Sequence, residues 1–223
     1  MFLSRLRLNV RSQQVRRDLS DCHEMHRTLM SAWPEADTVR PPRQALAVLF
    51  RLEAARAGRE PTLLVQSLVR PDWHRLPAGY TVEAETKAID SLYDSFEAGT
   101  SLRFRLRANA TRSVAESRDR RGRRVELTRR EDQLAWLERQ AVANGFRIMT
   151  GEGGPMVHVE RTEKLTGRRT VPGGAKATVS VGATLFEGVL VVTDPQRFRS
   201  ALVGGLGHAK AYGCGLLSVA RDG

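Results

Sequence analysis

The chain reads as an α+β protein made of two tandem ferredoxin-like (RRM-like) domains, residues 1–97 and 98–223, with a β-hairpin decorating the second. Three observations predict this. A strand, a helix and two further β-rich stretches follow one another before residue 70, the β-α-β-β opening of a ferredoxin-like unit. A second set in the order β-α-β-β-α-β begins at Leu102. Between them, the turn-forming run Glu97-Ala98-Gly99-Thr100 offers a boundary. The 223 residues suffice for two modest cores.

Leu6, Leu8 and Val10 alternate with Arg5, Arg7 and Asn9, the period-2 pattern of a strand with one buried face. Ser12 is placed to cap a helix running to about Trp33, where Pro34 ends it. Beyond an exposed Pro41-Pro42 turn, β-rich stretches at 45–52 and 62–69 are separated by Ala57-Gly58-Arg59-Glu60-Pro61. The closing helix and strand of this first unit have no clear pattern between Pro71 and Phe96. In the second unit, Leu102-Arg103-Phe104-Arg105-Leu106-Arg107 is an alternating strand with apolar residues on one face and arginines on the other. The arginine-rich segment 118–124 follows as a solvent-facing loop. A helix is expected from Thr128, which with Glu131 forms a potential capping box, through Leu134, Trp136, Leu137 and Ala141 to Gly145. Met156-Val157-His158-Val159-Glu160 and Arg168-Arg169-Thr170-Val171 flank Thr166-Gly167 as a basic-tipped hairpin. Strands around 178–181 and 184–192, a short helix opened by Asp194-Pro195, a glycine-rich loop and a last strand at Leu216-Leu217-Ser218-Val219-Ala220 complete the chain.

Composition narrows the function. Apolar residues make up 41% of the chain, and no run is long enough to span a membrane. The N-terminus alternates with charge rather than building a signal peptide, so a cytoplasmic protein is expected. Cys22 and Cys214 lie far apart without histidines at zinc-like spacing, which indicates neither a disulfide framework nor a metal site. Basic residues number 36 against 25 acidic ones, a formal charge of +11. Such an excess points to a polyanionic partner. It is also uneven: eleven arginines but only three acids, Glu116, Asp119 and Glu126, fall between Arg103 and Arg130.

The run Gly204-Gly205-Leu206-Gly207-His208-Ala209-Lys210-Ala211-Tyr212-Gly213-Cys214-Gly215 can present main-chain N–H groups to an oxyanion, with Lys210 as a point charge, or can serve as a tight turn. It lacks the Gly-Lys-Ser/Thr ending of a nucleotide-binding loop. His23 and His26, three apart on the first helix, are neighbours on its surface, with Arg27 four beyond His23. On spacing alone His26, inside the stripe Leu19, Cys22, Met25, Leu29, Met30 and Trp33, reads first as a core histidine. His74, His158 and His208 rank lower.

Together with Leu185-Phe186-Glu187-Gly188-Val189-Leu190, the glycine-rich run resembles the C-terminal signature of the CasE (Cse) family, the CRISPR repeat-processing endoribonucleases of type I-E systems. The resemblance extends to the N-terminal strand, to the motif Glu24-Met25-His26-Arg27-Thr28-Leu29 and to the stretch Leu102 to Asn109. It implies tandem ferredoxin-like domains with RNA across their cleft, His26 as the catalytic histidine, retention of the mature guide RNA and association with other Cascade subunits. One position departs from the pattern: where these enzymes commonly carry a tyrosine, three residues before the histidine, this chain has His23.

The implied reaction suits the residues. The 2′-hydroxyl of RNA attacks its own phosphate once a base removes its proton, while an acid protects the departing 5′-oxygen and positive charge supports the phosphorane, with no metal or cofactor required. His26 is the candidate base or acid, His23 its complement or a positioning group, and Arg27 a phosphate clamp. Arg105, Arg107, Arg123, Arg124, Arg129, Arg130, Arg168, Arg169 and Lys210 are the further candidate RNA contacts. Phe104, Trp136 and Phe186 fall on apolar faces, favouring recognition of a folded hairpin by shape over base stacking. Two other readings stay open: a hairpin-binding structural subunit whose His23 has removed cleavage, and a general RRM-type RNA-binding protein, weakened by the missing aromatic pattern on a central strand.

Overall fold

A computed structural model describes residues 1–33, 42–53, 60–114, 123–170 and 173–221. The expected helix stop at Pro34, Pro41 of the proline turn, the turn residues 57–59, the loop residues 118–122 and Val171 lie outside them.

The N-terminal strand β1 (Phe2–Leu8) buries Leu6 and Leu8 between exposed arginines as alternation predicts, but it ends before Val10, which is exposed. The single helix expected next is two, α1 (Gln13–Ser20) and α2 (Cys22–Met30). Ser12 occupies the first cap position without using its hydroxyl. Asp21 breaks the helix because its backbone is extended (φ −137°, ψ 104°) and its carboxylate caps α2 afresh. The expected strand at 45–52 is shorter: α3 (Pro42–Ala45) precedes β2 (Leu49–Glu53). Then follow β3 (Thr62–Ser67), a 3₁₀ turn at Trp73–Arg75, β4 (Thr81–Ala88) and α4 (Asp90–Asp94). The four strands make one antiparallel sheet in the order β2-β3-β1-β4. A 3₁₀ turn thus stands between β3 and β4, where no helical periodicity was legible.

The second half contains β5 (Ser101–Ala108), β6 (Thr111–Val114), β7 (Arg123–Glu126), α5 (Arg130–Ala143), β8 (Phe146–Ile148), the short β9 (Thr150–Gly151) and β10 (Gly154–Pro155), β11 (Val157–Thr170), β12 (Lys176–Val192), α6 (Pro195–Gly204), a second 3₁₀ turn at Lys210–Tyr212 and β13 (Leu217–Arg221). Its main sheet runs β11-β12-β5-β13, with β8 also pairing β12. Both edges of the arginine-rich loop are strands, β6 and β7, paired with each other. The Thr128–Glu131 capping box does not form, and Arg129 holds the cap position of α5. The largest revision concerns the hairpin. Thr166-Gly167 is not its turn; the two arms read on either side of it are one continuous strand, β11, paired along its length with β12. Asp194 caps α6 as expected, accepting from Arg197 N at 3.1 Å.

Two apolar clusters fill the molecule. One joins Leu6, Leu8, Val15, Met25, Leu29, Trp33 and Phe50 beneath the first sheet; the other joins Leu102, Leu106, Trp136, Phe186, Leu190, Phe198 and Leu217. Ile89, Tyr93 and Phe96 pack into the second cluster. Buried polar groups tie the halves together. Gln66 donates to Leu202 O at 2.7 Å and accepts from the Tyr93 hydroxyl at 2.6 Å. Arg51, 2% exposed, donates to the carbonyls of Arg105 and Leu216, both at 3.0 Å. Among the described residues, no helix is long and apolar enough to cross a membrane.

Candidate functional site

The site is organised by Asp21. Its Oδ1 accepts from the backbone N–H groups of His23 (2.9 Å) and Glu24 (3.2 Å), satisfying the open N-terminus of α2. Its Oδ2 accepts from Arg168 N of β11 at 3.0 Å. One carboxylate therefore starts the helix carrying both histidines and holds the long basic strand against it. Gly167 makes the approach possible: a Cβ there would lie 2.5 Å from Asp21 Oδ1 and 3.0 Å from His23 N. The glycine read as a turn residue serves a close crossing instead.

His23 and His26 project from consecutive turns of α2. Each is half-buried, and the Nδ1 of each is buried without a hydrogen-bond partner among the described residues. Burial, then the nearby positive charge of Arg43, then His23, push the His26 pKa down to about 4. His26 is therefore a neutral imidazole at pH 7, with the lone pair of one ring nitrogen available to take a proton.

The glycine-rich loop packs against α2 and β2. Gly213 takes φ 82° and sits so close to Phe50 that an added Cβ would lie 3.1 Å from that ring. Lys210 reaches back to the carbonyls of Gly204 (2.6 Å) and Gly205 (2.8 Å), so its ammonium staples the loop as well as supplying charge. Tyr212, at the end of the 3₁₀ turn, sets its ring 6.5 Å from that of His23. A succession of groups within electrostatic reach of one another now runs along this face. Arg124 and Lys210 each lower the pKa of His208, Arg43 that of Lys210 and of His26, and Arg169 that of Tyr212, in each case with burial as the larger influence. Burial lowers His208 and Lys210 as well, and raises Tyr212.

The candidate contacts fall into distinct groups. His23, His26, Lys210, Arg168 and Arg169 come together around α2, and Arg124 joins through His208. Arg123 and Arg124 are exposed on β7; Arg129 and Arg130 are exposed at the start of α5, with Arg130 3.5 Å from Val159 O. Arg27 is exposed to solvent, its side chain 66% exposed and paired with Glu24 at 2.9 Å. Arg105 is a strut between the sheets, bonded to Glu53 at 2.7 Å and Glu187 at 2.6 Å. Its charge is compensated there. Arg107 lies between two cavities: a cleft of about 790 Å³ shared with Arg51, Arg105 and Arg161, and a pocket of about 320 Å³ shared with Cys22, Met25, Phe50 and Tyr212. It donates to Thr162 Oγ1 at 3.3 Å, and its Nε is buried without a partner among the described residues.

Sequence reasoning missed Asp21, Arg43 and Tyr212. Asp21 left a signal, the Asp-x-x-Glu spacing to Glu24 that marks a helix start. Arg43 and Tyr212 left none, because long-range folding alone brings them to α2. Among the described residues, no group of three or more His, Cys, Asp or Glu side chains is arranged to hold a metal ion.

This arrangement has close relatives. The CRISPR-associated endoribonuclease Cse3 of Thermus thermophilus is 42% identical over 221 residues, covering 99% of this chain and all of its own length. The Cascade subunit CasE of Escherichia coli is 27% identical over 207 residues, 90% of this chain and 92% of that one. A structure of endoribonuclease Cse3 bound to a 19-nucleotide RNA superposes with a TM-score of 0.84 at 40% identity, covering 99% of this chain and all of the other. A family model described as CRISPR associated protein matches residues 1–221, and the chain belongs to that family.

Proposed function

We propose that this protein is an endoribonuclease that cuts CRISPR precursor RNA within the repeat, at the 3′ base of its stem-loop, without a metal ion. It then keeps the mature guide RNA as a subunit of a Cascade assembly, a reading that includes a cytoplasmic location. The observation that carries it is the pair of adjacent imidazoles on α2, with His26 held neutral inside a basic surface. RNA-bound Cse3 and the Cascade membership of CasE support the substrate and the partners. We read residues 1–97 and 98–223 as tandem ferredoxin-like domains, supported in the first by the strand order β2-β3-β1-β4.

In this mechanism His26 takes the proton of the 2′-hydroxyl. The O2′–P bond forms, the P–O5′ bond breaks, and His23 delivers a proton to the departing 5′-oxygen. The products are a 2′,3′-cyclic phosphate and a 5′-hydroxyl. Arg43, Arg169 and Lys210 surround the phosphorane with positive charge. Arg107, Arg123, Arg124, Arg129, Arg130 and Arg168 extend the surface for the hairpin backbone, and Arg27 and Arg105 contribute through α2 and the sheet junction.

The test is a single-turnover incubation of the protein with its cognate repeat hairpin in EDTA, repeated with a 2′-deoxy nucleotide just before the scissile phosphate. The ribose hairpin is cut to a cyclic phosphate, while the deoxy hairpin binds with similar affinity and stays intact. Cleavage of the deoxy hairpin would end this mechanism, and binding of the ribose hairpin without cleavage would favour a structural subunit.

Replacing Arg123 and Arg124 with alanine reduces the dependence of log K on log salt by roughly 0.7 to 0.9 for each phosphate that the protein no longer neutralises. An unchanged slope in a salt titration removes β7 from the footprint.

A further inference from the structure

We propose that Tyr212 belongs to the reacting centre, its phenol donating a hydrogen bond to a non-bridging oxygen of the phosphate on which His23 and His26 act. This rests on the functional reading above and adds to it a residue from the opposite half of the chain.

The chain has three tyrosines, and two have structural bonds. The Tyr80 hydroxyl donates to Asp18 at 2.9 Å, and that of Tyr93 to Gln66 at 2.6 Å, both inside the protein. Tyr212 differs. Among the described residues nothing accepts from its hydroxyl, and its half-buried ring faces His23 at 6.5 Å with a 57° tilt. It also lines the pocket of about 320 Å³ beside α2.

The backbone that carries the ring is anchored on both sides. Lys210, two residues earlier, is fastened to Gly204 and Gly205, and Gly213, immediately after, is seated on Phe50. Of the groups that influence Tyr212, Cys22 offers only a thiol sulfur, a weak acceptor. Asp21, the nearby carboxylate that influences it, already uses Oδ1 for two N–H groups and Oδ2 for a third. Arg169 and Lys210 offer donors and positive charge, which attract an anion and give a phenol nothing to bond. A phosphate oxygen supplies the missing acceptor. Burial favours the neutral phenol, so it remains a donor throughout the reaction. No proton leaves it: the histidines move the protons as the O2′–P bond forms and the P–O5′ bond breaks.

The experiment is Tyr212→Phe, which keeps the ring against His23 and in the pocket wall. Single-turnover cleavage of the cognate repeat hairpin at saturating protein is measured beside hairpin affinity and the melting temperature. The expected result is a rate lower on the order of 10²-fold, the loss typical for one oxyanion donor, with affinity and melting temperature unchanged. A rate within about twofold of wild type, or a loss confined to affinity, overturns the inference. Failure of the wild-type protein itself to cut in the same assay overturns the endoribonuclease reading, so the two failures are separable.

Discussion

Replacement of His26 by alanine is expected to slow single-turnover cleavage by about 10²- to 10⁴-fold, the range for losing one proton-transfer partner, and to leave hairpin affinity nearly unchanged. The structure also fixes the direction of the pH dependence. With its pKa pushed down to about 4 by burial, Arg43 and His23, His26 in the free protein is unprotonated over the whole neutral range. As the base of the proposed reaction, it gives kcat/KM a limb near pH 4, with activity falling below it, rather than near the 6.5 of an ordinary imidazole. A limb of the opposite sign, with activity falling as pH rises through 4, overturns that assignment. A linkage effect accompanies this. The unfolded imidazole binds a proton near pH 6.5 while the folded one resists it, so the stability from a neutral His26 is complete above that value and is lost as pH falls through about 4. Urea unfolding of wild type and His26→Ala across pH 4 to 7 checks this: the wild type loses stability relative to the variant as pH drops.

Arg51→Ala is expected to be the most destabilising of the arginine substitutions, by about 3–5 kcal/mol, the cost of breaking a buried ion pair from one side. Arg51 is 2% exposed and bonds Glu53 at 2.6 Å. It also satisfies the carbonyls of Arg105 and Leu216 across the junction of the two sheets. Removing it leaves Glu53 Oε1 without its partner, Oε2 staying with Arg105, and takes a donor from two carbonyls at the sheet junction. Arg27→Ala is the control. Its partner Glu24 is also held by Arg17 at 2.9 Å and its own side chain lies in solvent, so its removal costs at most about 1 kcal/mol. Chemical denaturation of both variants decides the point: equal midpoints for Arg51→Ala and Arg27→Ala would show that the buried network contributes nothing to holding the halves together.

Local patterns were reliable wherever neighbouring residues alone decide the conformation. Leu6 and Leu8 alternate into the core of β1, the arginines of β5 alternate away from Leu102, Phe104 and Leu106, and Asp194-Pro195 starts α6. The same patterns misled where a distant group settled the matter. The run from Ser12 to Trp33 has one continuous apolar stripe, yet Asp21 splits it because its carboxylate also receives Arg168 N from 147 residues away. Thr166-Gly167 has turn composition, yet it lies inside β11, since the missing Cβ is needed for contact with α2.

By itself, then, the sequence determined the mixed α/β class, the basic character of the chain, its family resemblance and the pair His23 and His26, because helical spacing makes those two neighbours wherever the helix goes. Only the tertiary structure decided which cations face them. Arg105, read as an exposed strand arginine, closes onto Glu53 and Glu187, and Arg27 is exposed to solvent, while Arg43, Lys210, Arg169 and Tyr212 arrive at α2 from three other parts of the chain. Strand and helix periodicity state which way a side chain leaves its own element. What it meets depends on how the loops close, and here an aspartate, a glycine without a Cβ and a lysine bonded to its own loop set that closure.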